Sequence, residues 1–213
     1  MDKETEYSSD DDYSDDDLFD TEDEDTDEDI KSADQLTKEE KRFIGLSNSS
    51  SISRIYKDYL QIIKTDLSQF IVIQMNENNI HHWNITLSFD STEIIQQELV
   101  KYMNIEGNSK HPAGIQMGIT FPGNYPMSPP FVRVISPRFK FRTGRITCGG
   151  SICMELLTKS GWSPIYSFGT ALIQIQAEIL DGNPSIDFNN RNPYSEDEAK
   201  KSFIRIAKEK NWE

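Results

Sequence analysis

Residues 115–135 read IQMGITFPGNYPMSPPFVRVI. Ile115, Met117, Ile119 and Phe121 alternate with Gln116, Gly118 and Thr120, the two-residue period of a half-buried strand. Phe131–Ile135, FVRVI, gives a second strand. Pro122, Pro126, Pro129 and Pro130 fall between the two. Proline has no N–H and a fixed φ, so four of them belong in a rigid connection and not inside a sheet. Pro137 closes the second strand.

Two further strands lie on the N-terminal side. Trp83, Ile85, Leu87 and Phe89 alternate with Asn84, Thr86 and Ser88, and Ile71, Ile73 and Met75 alternate with Val72 and Gln74. Residues 91–110 are polar around Ile94-Ile95 and Leu99-Val100, which predicts an inserted short helix and a turn at Glu106-Gly107-Asn108. Upstream, Ile52, Ile55, Tyr56, Tyr59, Leu60 and Ile63 have the spacing of one helix face over residues 51–66, with Arg54, Lys57 and Lys64 mostly outside it.

On the C-terminal side, residues 138–152 carry Gly144, Gly149 and Gly150 with little periodicity and read as a long irregular loop. Phe168, Ala171, Leu172, Ile175 and Ile179 then mark a helix that Gly182 closes. Ser195 and Glu198 fit a capping box ahead of Ala199, Phe203 and Ile206, and Trp212 follows that last helix. Strands grouped together with helices at the ends predict an α+β fold: an N-terminal helix, a four-stranded antiparallel meander, a loop, and two or more C-terminal helices.

Charge divides the chain. Residues 1–40 hold 20 Asp/Glu against 3 Lys, and the remainder holds 16 acids against 19 bases. The acidity is that of a tail. Residues 1–48 are expected to be an acidic disordered segment, and residues 49–213 the folded domain. Ser9 and Ser14 each precede three aspartates, a pattern suited to an acid-directed kinase. No apolar run approaches the ~20 residues of a membrane span, and the N-terminus has no signal-peptide core. The two cysteines, Cys148 and Cys153, form neither a disulfide framework nor a zinc pattern, and His81, His82 and His111 lie far from them in sequence. An intracellular setting is expected, with no metal, no membrane and no nucleic acid.

The loop runs into GGSICMELL at residues 149–157. Two glycines followed by one cysteine mark a turn with an uncrowded thiol, and a thiolate is a strong nucleophile near neutral pH. A lone cysteine is also commonly a small buried hydrophobe, so the reading depends on its surroundings. Cys148 has no such surroundings and reads as non-catalytic.

Three pieces in this order resemble the ubiquitin-conjugating enzymes. They are Phe121-Pro-x-x-Tyr125-Pro126-x-x-Pro129-Pro130 between two strands, Gly150-Ser151-Ile152-Cys153 about 30 residues later, and Trp162-Ser163-Pro164 before the next helix. The run CMELLTKSGW at 153–162 and PPFVRVISP at 129–137 are most similar to the atypical Q-type branch. One departure stands out. Typical members carry His-Pro-Asn with the asparagine eight residues before the cysteine, and Arg145 occupies that position here. His111-Pro112-Ala113 is a false match, 42 residues upstream of Cys153. The Q-type branch also lacks the triplet.

The resemblance implies acyl transfer. An activating enzyme, which uses the ATP, would hand ubiquitin to Cys153 as a thioester, and a nucleophile on a protein substrate would then take it. This chain would need no cofactor of its own. Oxyanion donors would come from backbone N–H groups around Gly149-Gly150 or from the Arg145 guanidinium, which could equally be a solvated loop arginine. Trp162 reads as a packing anchor, and Trp212 as packing or as a stand-in for the missing triplet. Family practice would place a ubiquitin ligase on Met127, Pro164 and Ile165, the activating enzyme on Arg54 and Lys57, and the bound ubiquitin on the helix from 167 to 180. A non-catalytic ubiquitin-handling adaptor of the same fold is the alternative. A cysteine hydrolase would need a histidine brought to Cys153 by the fold.

Overall fold

The computed structural model describes residues 50–76, 79–107 and 113–212. The acidic segment 1–48 and the pair His111-Pro112 lie outside these residues. Helix α1 (Ser50–Lys64) leads through a 3-10 turn to strands β1 (Ile71–Asn76) and β2 (Asn79–Leu87). Helix α2 (Ile94–Glu106) is followed by β3 (Ile115–Thr120), β4 (Phe131–Ser136), α3 (Phe168–Asp181) and α4 (Glu196–Lys210). The sheet is an antiparallel meander in the order β1-β2-β3-β4. The expected α+β architecture is the observed one.

The sheet's buried face follows from its register. Trp83 stands opposite Ile119, and Ile119 opposite Val132. Trp83 also meets Phe121 and Phe168 edge-on, at centroid distances of 4.7 and 5.7 Å. One cluster of buried aromatics thus joins the sheet, the proline-rich connection and α3. All five apolar positions expected on α3, namely Phe168, Ala171, Leu172, Ile175 and Ile179, are fully buried.

Helix α1 departs from the expected stripe at one end. Ile63 is exposed, and the buried face carries Ser51, Ile55, Tyr56, Asp58 and Ile62. Asp58 is only 1% exposed. Its carboxylate accepts the Tyr125 hydroxyl at 2.5 Å and Arg54 Nε at 3.3 Å, so a charge can enter the core with its partners. Burial pushes the Asp58 carboxyl up, and the Tyr125 and Arg54 contacts pull it down.

The capping box of α4 is complete. The Ser195 hydroxyl accepts the Glu198 N–H at 3.2 Å, and Glu198 accepts the Ser195 N–H at 2.8 Å. Glu198 also takes Arg138 Nη2 at 3.1 Å, linking the helix start to the loop after β4. Ser195→Ala is expected to cost about 1 kcal/mol. For a domain of this size that lowers the thermal midpoint by about 2–4 °C, which calorimetry would read. An unchanged midpoint would mean that Arg138 and Glu198 hold the helix start without the serine.

Gly182 does close α3, but not by a left-handed turn, since its φ is −73°. It is there for space. A Cβ on it would lie 2.6 Å from the Arg145 nitrogen. The helix end and the cysteine loop therefore touch backbone to backbone.

Candidate active site

Cys153 closes a narrow hairpin within the irregular loop. Ile146 bridges Ile152 in antiparallel fashion, Thr147 donates its N–H to Ser151 O at 2.9 Å, and Cys153 donates its own to Arg145 O at 2.8 Å. The tip turns at Gly150, which has φ +91° and donates to Thr147 O at 2.9 Å. Gly150 O accepts the Val134 N–H at 2.7 Å, which seats the hairpin on β4. The thiol is half-buried and free.

Gly150 makes the expected turn, and both glycines have a second job as well. A Cβ at Gly149 would lie 2.1 Å from Ser202 Oγ and 2.2 Å from Glu198 O, both on α4. A Cβ at Gly150 would lie 2.6 Å from the Tyr194 ring. The pair lets the hairpin tip press against α4 and Tyr194. Two backbone donors of this stretch are engaged: Gly150 N–H goes to Thr147 O at 2.9 Å and Ser151 N–H to the Thr147 hydroxyl at 3.0 Å.

Arg145 lies opposite Cys153 on the hairpin, at φ +55°. Its half-exposed guanidinium reaches α3, with Nε 3.4 Å from Glu178 Oε2 and Nη2 2.5 Å from Asp181 Oδ2. It is neither free in solvent nor aimed as an unpaired donor. Asp181, then Glu178, raise its already high pKa. Sequence reasoning missed both carboxylates, though a signal existed. They occupy the last turn of α3, where negative charge opposes the helix dipole and where the helix supplies no base of its own.

Burial pushes the Cys153 thiol up; Lys210 and Arg145 pull it down, while Glu178 and Glu209 push it further up. The nearby charges offset one another, and burial decides the direction. Since the thiolate is the reacting form, alkylation of Cys153 moves to higher pH. In a Cys148→Ser background, the iodoacetamide rate should still climb between about pH 9.5 and about pH 10.5, where an ordinary thiol has levelled off. A plateau below that range would contradict the buried thiol.

Cys148 is exposed, with Arg205 Nη2 3.2 Å from its sulfur and Ser202 Oγ at 4.0 Å. Trp212 donates its backbone N–H to Ala207 O at 2.9 Å. Its side chain lines a groove of about 430 Å³ with Pro129, Pro130, Phe131 and Phe203. The groove lies at the end of the proline-rich connection. No group of three or more His, Cys, Asp or Glu is placed to hold a metal among the described residues.

The residues expected to face partners divide in two. Met127 is 70% exposed and Ile165 is 84% exposed, with Pro164 half-buried beside it. The loops bearing them are tied together, because buried Trp162 donates its indole N–H to Pro126 O at 2.7 Å. Lys57 is exposed on α1. Arg54 is not available in the way expected. Its Nη1 donates to Pro164 O at 3.0 Å and its Nη2 to Tyr166 O at 2.6 Å, while Nε binds Asp58. It is a staple between α1 and the 162–166 loop.

A family model described as ubiquitin-conjugating enzyme matches residues 54–211. A mouse Q-like protein of the ubiquitin-conjugating enzymes, numbered 1 in its series, is 34% identical over 153 residues, covering 70% of this chain and 89% of that one. The human ubiquitin-conjugating enzyme E2 Q1 is 33% identical over 145 residues, and the match spans 66% of this chain but only 33% of that longer protein. Among solved structures, an E2 ubiquitin-conjugating enzyme from Plasmodium falciparum aligns at a TM-score of 0.46 and 20% identity, over 60% of this chain and 96% of that one.

Proposed function

The chain belongs to the ubiquitin-conjugating enzyme family, and from that premise we propose that Cys153 is the thiol on which it carries ubiquitin. As a member of the Q branch it is a transferase of protein ubiquitination that works through a thioester. Its family partners are ubiquitin, an activating enzyme and a ligase. The observation that carries the assignment to Cys153 is its place: half-buried, with its N–H fixed by Arg145 O at 2.8 Å on a hairpin wedged against α4.

The chemistry needs little from a lowered thiol pKa. The incoming step exchanges one thioester for another between similar thiols, so its driving force is near balance. The Cys153 sulfur attacks the carbonyl carbon, the activating enzyme's thiolate departs, and the proton lost from Cys153 goes to solvent or to that departing sulfur. An amine or hydroxyl of a protein substrate then repeats the attack and releases the Cys153 thiol. ATP is spent by the activating enzyme. Ligase contact falls to exposed Met127 and Ile165 with Pro164, and contact with the activating enzyme to Lys57.

The test is a charging assay with activating enzyme, ATP and ubiquitin, run on a non-reducing gel. The expected product is one ubiquitin adduct that disappears on adding thiol. A folded protein that forms none would favour the non-catalytic adaptor.

A further inference from the structure

We propose that the groove between α4 and the proline-rich connection docks an acidic segment of the protein that receives ubiquitin, one that carries an apolar or aromatic anchor. The inference rests on Cys153 being the reacting thiol. The groove holds about 430 Å³, room for a few side chains. Its walls are apolar, with Phe131, Leu157, Phe203 and Ile204 among them. The Phe131 and Phe203 rings meet edge-on at a centroid distance of 5.9 Å, and Ile204 is left 55% exposed. Trp212 joins the lining because α4 ends in a left-handed turn at Asn211, φ +56°, and the Trp212 N–H returns to Ala207 O at 2.9 Å.

Charge identifies the occupant. Lys159 and Lys208 line the groove and are exposed, and no Asp or Glu lines it. Elsewhere on α4, Lys200 pairs with Glu196 and Arg205 with Glu209. The ammonium groups of Lys159 and Lys208 have no ion pair among the described residues. An apolar trough with two uncompensated cations complements a segment that sets carboxylates on either side of an apolar side chain.

Position connects the groove to the chemistry. Leu157 follows Cys153 by four residues, so their Cα atoms lie within about 14 Å of each other. Phe131 opens β4, the strand that seats the cysteine hairpin through Val134 and Gly150 O. Helix α4 is the wall against which Gly149 of that hairpin presses. Groove and thiol therefore share their supports, and an acceptor amine about four or five residues beyond the anchor spans the distance between them.

The experiment follows the three indole N–H signals of the full chain labelled with nitrogen-15, the Trp212 signal being identified by its loss in Trp212→Phe. Trp83 and Trp162 are buried and serve as internal references. The probe is an unlabelled peptide with a Trp-Leu pair between two runs of three aspartates. It should move the Trp212 signal and leave the other two in place. Ala-Ala in place of Trp-Leu should weaken binding about tenfold or more. Lys159→Glu with Lys208→Glu should weaken it about tenfold. Ile204→Glu, at an exposed position where an unchanged thermal midpoint would show an intact fold, should weaken it as well. The charged protein should pass ubiquitin to a lysine five residues from the Trp-Leu pair faster than to the same lysine in the Ala-Ala peptide.

A Trp212 signal that ignores the peptide, or that responds equally to the Ala-Ala peptide or to one with lysines in place of the aspartates, would overturn the proposal. Movement on dilution alone would assign the groove to a second copy of the chain and overturn it too. Binding without preferential transfer would overturn the acceptor role. The binding readout involves no ubiquitin. Charging without peptide binding would sink this inference alone, and peptide binding without charging would sink the proposed function.

Discussion

Cys153→Ala is expected to abolish the thiol-sensitive ubiquitin adduct, and Cys148→Ala to leave it at the parent level. The difference follows from where the two thiols sit. Cys153 has its N–H held by Arg145 O at 2.8 Å and is half-buried. Cys148 is exposed and lies against Arg205 and Ser202, on the side where the hairpin tip meets α4. An alanine leaves no nucleophile, so the loss should be complete. Cys153→Ser separates chemistry from folding. A serine hydroxyl is a poorer nucleophile, but the product is an oxygen ester, which thiols do not readily cleave. A slowly formed adduct that survives thiol in Cys153→Ser would locate the acyl group on residue 153. Loss of the adduct in Cys148→Ala, with Cys153→Ala still charged, would reverse the assignment.

Much of this site could be read before any coordinates. The strands announced themselves through strict alternation, because each has one buried face. Helices α3 and α4 announced themselves through spacing and through the Ser195–Glu198 capping box. What stayed hidden depends on contacts between distant residues. The buried face of α1 includes Asp58, which no apolar pattern reveals, because its burial is made possible by Tyr125, 67 residues away. Arg54 looked like a surface charge and is a staple for the same reason, since its partners Pro164 and Tyr166 are 110 and 112 residues distant. The ion pairs of Arg145 with Glu178 and Asp181 needed the end of α3 laid against the cysteine loop. The glycines ahead of Cys153 were legible as a turn, which Gly150 makes, but only part of their reason was. They read as room for the thiol, and the fold shows that α4 and Tyr194 need that room.

That last correction yields the largest expected effect on stability. Gly149→Ala adds one methyl group, and its carbon would lie 2.1 Å from Ser202 Oγ and 2.2 Å from Glu198 O. A side chain can move away from such a contact, but the Glu198 carbonyl is helix backbone in the first turn of α4, held by the capping box and by Arg138. Either the hairpin lifts or the helix shifts. Overpacking of this kind costs about 1–3 kcal/mol and at times more. At about 2–4 °C per kcal/mol for a domain of this size, the thermal midpoint should fall by about 2–12 °C. Charging should fall with it, because the tip that moves is close to Cys153 in the same hairpin. Two comparisons make the cause specific. Gly123→Ala, where no atom lies within 4 Å of the new carbon, should melt like the parent. Ser202→Gly added to Gly149→Ala removes the closest contact and leaves the carbonyl, so it should not restore the midpoint. Full recovery in that double variant would mean that the serine side chain, and not the backbone of α4, sets the place of the cysteine loop.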